Sequence, residues 1–181
     1  MDIYKEEFTR LEKEILNFLF ANSGRKFNQR AIALALKVSP TAIANSIKNL
    51  RKTDLLEIKK DSVSETFEIG LNLQNNKVIF MKRIENLKSV YESNLAEFLF
   101  DNYSGATIVL FGSYAFGEDT YNSDIDIAII GNKEKNVNLE TFEKILLRKI
   151  TLQFYGGFDK IHKNLKESIL NGIILKGSVK L

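Results

Sequence analysis

The stretch "GSYAFGEDTYNSDIDI", Gly112 to Ile127, places two aspartates one residue apart at the head of an apolar run, shortly after a Gly-Ser pair that ends another. "ATIVLF" before it and "SDIDIAII" within it read as two short buried strands, the second running from Ser123 to its stop at Gly131. Side chains alternate along a strand, so Asp124 and Asp126 point to one face while Ile125 and Ile127 point to the other. Two carboxylates that close repel each other unless something positive sits between them. They form a binding edge for one or two divalent cations.

The Gly-Ser pair complements that edge. Gly112 permits a sharp turn and close approach of a ligand to the backbone. A helix beginning at Ser113 would turn its free N–H groups and the serine hydroxyl toward an anion. A phosphate held there, next to a metal on Asp124 and Asp126, is the geometry of metal-assisted nucleotidyl transfer. Composition narrows the metal. The chain has no cysteine and a single histidine, His162, so thiolate and multi-histidine sites are out and oxygen ligands must serve, which points to Mg2+ or Mn2+. His162 itself reads as a surface residue of a helix.

Spacing carries the resemblance further. Gly112 and Ser113, ten intervening residues, then Asp124-x-Asp126 resemble the signature of the polymerase-β-type nucleotidyltransferase superfamily, in its minimal nucleotidyltransferase branch. Ala115, Gly117, Ser123 and Ile125 also match that pattern, and "NLKESILNGIILKG" resembles the closing helix and strand. The resemblance implies that Asp124 and Asp126 are catalytic and metal-binding, and that Gly112, Ser113, Gly117 and Ser123 bind the nucleotide. It also implies a third carboxylate on a later strand. The corresponding strand, "KITLQFY", presents Thr151 and Gln153 on that side, leaving Glu143 and Asp159 as the nearby acids. The branch's usual arginine is absent, with Tyr114 and Phe116 in its slots.

Ahead of this lies a different kind of segment. "YKEEFTRLEKEILNFLFANSG" has Leu11, Ile15, Phe18 and Leu19 at helical spacing, and "NQRAIALAL" predicts a second helix capped by Asn28. Ser39 and Pro40 start a third, "TAIANSIKNLRKTD", with Ala42, Ile43, Ile47 and Leu50 on one stripe. "LLEIKKD" and "TFEIGL" alternate as a hairpin around a polar loop, Ser62 to Glu65. This order resembles a winged helix-turn-helix over roughly residues 5–73. On that likeness Thr41, Asn45, Ser46, Lys48, Asn49, Arg51 and Lys52 would face duplex DNA. Between Arg25 and Lys60 nine Lys/Arg stand against two acids, whereas Asn76 to the end has fourteen against thirteen. Asp61 and Glu65 at the wing tip would repel phosphates, so a protein-docking or structural role stays open.

The expected fold class is therefore α+β: a winged helix-turn-helix domain over residues 1–75, then a small mixed-sheet nucleotidyltransferase domain over 76–181. The latter begins with a long connecting helix, Asn76 to Tyr103, striped by Phe80, Ile84, Leu87, Tyr91, Leu95 and Phe98. No linker is rich in Pro, Gly or Ser, which predicts packed rather than tethered domains. An acidic start and strand-sized apolar runs predict a cytoplasmic chain with no membrane partner. Two functions follow. One is an enzyme moving a nucleoside monophosphate from an NTP, ATP foremost, to a protein, RNA or small-molecule hydroxyl; the resemblance adds an antitoxin role toward a small helical HEPN-type toxin. The other is a non-catalytic, nucleotide-sensing regulator that binds DNA.

Overall fold

Side-chain caps start the three front helices in the computed structural model, which describes residues 8–60 and 66–179. Helix α1 (Arg10–Ala21) opens on a capping box: Thr9 Oγ1 accepts from the Glu12 N–H at 3.3 Å, and Glu12 Oε2 accepts from the Thr9 N–H at 2.8 Å. At α2 (Gln29–Leu36) the expected cap Asn28 accepts from the Ala31 N–H at 2.8 Å. At α3 (Pro40–Leu50) Ser39 accepts from the Ala42 N–H at 3.2 Å, with Pro40 in the first turn, also as expected. Strands β1 (Leu56–Lys60) and β2 (Phe67–Leu71) pair antiparallel, with Leu56 opposite Leu71 and Ile58 opposite Ile69. Phe27 adds a rung by exchanging backbone bonds with Ile69 at 2.9 and 2.8 Å. Ile15, Leu19, Ile32, Ile43, Ile47, Leu50 and Ile69 are buried in this unit. Three helices followed by a hairpin make a winged helix-turn-helix. The wing tip with Asp61 and Glu65 lies outside the described residues.

The chain divides into two units, Met1–Val78 and Ile79–Leu181. The single helix expected from Asn76 to Tyr103 is two, α4 (Asn76–Glu92) and α5 (Leu95–Asn102), because Asn94 takes a left-handed φ of 62° between them. Along α4 the expected stripe holds only at Leu87, which packs against the core. Phe80, Ile84 and Tyr91 are 62%, 68% and 45% exposed, while Val78, Lys82, Asn86 and Val90 are buried. An apolar count cannot register that a lysine and an asparagine have a buried carboxylate to meet. Beyond the break Leu95, Ala96 and Leu99 are buried, with Phe98 packed against the same core.

The second unit is built on a four-stranded sheet in the order β5-β4-β3-β6. Strand β3 (Thr107–Phe111) is antiparallel to β4 (Ile125–Ile130) and to β6 (Ile173–Lys176), whereas β5 (Ile150–Tyr155) runs parallel to β4. Helix α6 (Gly112–Phe116) follows β3, α7 (Glu140–Leu146) precedes β5, and α8 (Lys163–Leu170) precedes β6. One face carries Ile108, Leu110, Ile125, Ile127, Ile129 and Ile150 against Leu95, Leu99 and Tyr103. The other packs Val109, Phe111, Ala128 and Ile130 with Phe158, Ile161 and Ile169. Among the described residues no helix is long and apolar enough to cross a membrane.

Candidate functional site

Alternation along β4 sorts the site. Ile125 and Ile127 are fully buried on one face, so Asp124 and Asp126 fall on the other, both half-buried. Asp126 stands opposite Phe111, the last residue of β3, and beside Thr151 of β5. The chain therefore turns into α6 directly against the Asp126 carboxylate. A Cβ at Gly112 would lie 2.9 Å from Asp126 Oδ2, and φ there is 74°, so this turn requires glycine on both counts. The Thr151 hydroxyl donates to Asp124 Oδ2 at 3.3 Å. Burial first, and then the charge of Asp124, push the Asp126 carboxyl above the usual aspartate range.

The remaining members of the signature are positioned by contacts within the loop and with α4. Ser113 is half-buried at the turn, and its carbonyl accepts from the Glu118 N–H at 2.9 Å. Gly117, expected on the nucleotide, is buried against α4 instead: at φ 77°, a Cβ there would lie 2.8 Å from the Arg83 amide nitrogen and also strike the Ile79 carbonyl. The Ser123 hydroxyl, likewise expected on the nucleotide, accepts from the Thr120 N–H at 3.0 Å and shapes the turn into β4. Both residues are held by the packing of the loop.

What holds that loop was not legible in its spacing. Asp119 is buried and ion-paired with the fully buried Lys82 of α4, whose Nζ also donates to the Asp119 carbonyl at 2.6 Å. Asn86 Nδ2 donates to Asp119 Oδ1 at 2.7 Å and to the Tyr114 carbonyl at 2.9 Å. Arg148 reaches Asp119 Oδ2 from the far side at 3.5 Å. Burial lowers the Lys82 ammonium's pKa, and Asp119 opposes that shift. Tyr114 is raised, by burial foremost. The one sequence signal was the four-residue step Val78, Lys82, Asn86, Val90, which marks a single helix face.

Neither nearby acid completes the aspartate pair. Glu143 Oε1 accepts from the Ile150 N–H at 2.9 Å and is thereby committed to the start of β5. Asp159 is exposed, pairs with Lys160 at 3.0 Å, and borders a recess with Ile130 and Gly131, at the other end of β4 from Asp126. Among the described residues no three His, Cys, Asp or Glu side chains gather into a metal-binding group. Asp124 and Asp126 fit a Mg2+ or Mn2+ that takes its other ligands from water and substrate phosphates, and such an ion would offset their mutual repulsion. In the front unit Thr41, Asn45, Lys48, Asn49, Arg51 and Lys52 are exposed, but Ser46 is buried, a correction to the DNA-facing set. It lies next to Ile47 and shares the inward face. Asn49 also donates to Glu12 Oε1 at 3.1 Å, and Arg51 and Lys52 fall in a 3-10 turn beyond α3.

With this geometry in hand, residues 92–176 match the family model described as "Nucleotidyltransferase domain". Solved structures similar to the chain include the Adhesin competence repressor AdcR from Streptococcus pyogenes, at 21% identity and TM-score 0.43, covering 57% of this chain and 72% of that one. The MepR–DNA complex of S. aureus has 22% identity and TM-score 0.38, covering 52% of this chain and 81% of that one. A point mutant of Lactococcus lactis ZitR has 17% identity and TM-score 0.42, covering 57% of this chain and 68% of that one. No curated protein sequence matches the chain.

Proposed function

We propose, from the premise that residues 92–176 belong to the nucleotidyltransferase domain family, that the protein moves a nucleoside monophosphate from an NTP, ATP foremost, to an acceptor hydroxyl. The supporting observation is the seating of Gly112 against the Asp126 carboxylate, which brings a turn suited to phosphate onto the edge suited to a cation. Asp124 and Asp126 would hold Mg2+, or Mn2+, whose chemistry is to neutralise phosphate charge and polarise the transferring group. Gly112 keeps the turn open to the phosphates. The Ser113 hydroxyl and neighbouring N–H groups donate to their oxygens. Thr151, by donating to Asp124, fixes that carboxylate in orientation. The acceptor oxygen bonds to the α-phosphorus as the α–β bridging P–O bond breaks; pyrophosphate leaves and the proton passes to water. The family resemblance supplies the acceptor class, a protein, RNA or small molecule, and with a HEPN-type protein as acceptor the chain would act as its antitoxin.

A second reading is favoured by Thr151, which stands beside Asp126 where a third carboxylate would complete the site. On that reading the domain binds Mg-NTP without turnover, and the winged helix-turn-helix makes the chain a nucleotide-sensing DNA-binding regulator. Incubation with α-labelled NTPs, Mg2+ and a cell extract separates the two. Transfer by the wild type, reduced by about a hundredfold or more in both Asp124→Ala and Asp126→Ala, is the expected result. Saturable Mg-ATP binding with no transfer establishes the second reading instead.

A further inference from the structure

We propose that Arg83 supplies the guanidinium that grips the triphosphate at the Gly112–Ser113 turn, carried there by the Phe116 ring and by the close approach that Gly117 permits. This rests on the nucleotide site proposed above. Helix α6 brings no cation of its own to that turn: its residues are Gly, Ser, Tyr, Ala and Phe. Arg83 of α4 instead lies over the Phe116 ring, its Cζ 6.0 Å from the ring centroid. Phe116 is three residues from Ser113 and four from Gly112, and all three are half-buried while Tyr114 and Ala115 are buried, so they share one face of α6. Arg83 is exposed, and among the described residues it has no ion pair.

Its position is built rather than incidental. Any side chain at Gly117 would drive α4 away, since a Cβ there comes within 3.0 Å of the Arg83 Cβ. Lys82 and Asn86, on either side of Arg83 in sequence, are anchored to buried Asp119, so α4 cannot roll to carry the arginine off. The glycine of the signature thus serves the ligand through a cation on another helix. A planar fork of N–H donors suits paired phosphate oxygens, and at the flank of the cradle it would meet the β- and γ-phosphates, which a nucleoside monophosphate lacks.

Titration calorimetry of the whole protein with ATP plus Mg2+, and separately with AMP, tests this. Arg83→Ala is expected to weaken ATP binding by about tenfold or more and AMP binding by less than about twofold. Arg83→Lys should recover only part, because an ammonium cannot make the forked contact. An unchanged melting midpoint shows that the exposed substitution leaves the fold intact. ATP binding equal to the wild type in Arg83→Ala, or equal losses for ATP and AMP, overturns the assignment. If the wild type binds ATP and Asp126→Ala does not, the nucleotide site stands whatever Arg83 does; a wild type without saturable ATP uptake removes both.

Discussion

Asp126 is held in a position that its own charge opposes. Burial, and then the neighbouring Asp124, raise its carboxyl above the ordinary aspartate range, so the folded chain retains a proton that the unfolded chain has released. Stability from this residue is therefore intact below the unfolded value of about 3.9, falls as pH rises toward the raised folded value, and stays lower above it. Asp126→Asn is predicted to raise the melting midpoint at neutral pH, with the gain vanishing near pH ~3. Thermal melts across a pH series check it, and an equal gain at both ends would defeat the account. At this scale the placement of Asp124 and Asp126 on one face was legible, because alternation is a local property of a strand. The Thr151 hydroxyl on Asp124 and the close approach of Gly112 to Asp126 join residues that are remote in sequence, so only register could reveal them.

Among the elements, α4 departs furthest from its pattern. It buries Lys82 and Asn86 and exposes Phe80, Ile84 and Tyr91, because the Asp119 carboxylate, already inside the loop after α6, is satisfied only if the polar face turns inward. Lys82→Met would leave Asp119 short of its closest cation. The expected loss is about 3 kcal/mol, read by urea unfolding, since removing one partner strands a buried charge. Phe80→Ser, on the exposed face, should change stability by under about 0.5 kcal/mol in the same assay. Were the two losses equal, the Asp119 contact would not be what orients the helix. The caps at Asn28 and Ser39 and the strands were readable, each being set by neighbours within four residues. The break at Asn94 was not: asparagine tolerates the left-handed conformation but does not demand it.

For the molecule as a whole, charge is divided unequally, with the basic excess lying between Arg25 and Lys60. Lys48, Arg51 and Lys52 are exposed at the end of α3 and the turn after it. Binding to duplex DNA should weaken steeply with salt, and Lys52→Ala should reduce the slope of log K against log salt by about 1. A wild-type affinity indifferent to ionic strength would count against phosphate contact. By itself the sequence determined the order and type of nearly every element, the winged helix-turn-helix ahead of a small mixed sheet, and the face shared by the two aspartates. Periodicity, capping and short fixed spacings act within a few residues, and they survive in the linear text. Tertiary structure alone decided which face of α4 goes inside, that Gly117 packs against that helix, and that Asp159 lies at the other end of β4 from Asp126. Those outcomes depend on which distant groups must satisfy one another once water is gone, and a buried carboxylate outweighs an apolar stripe.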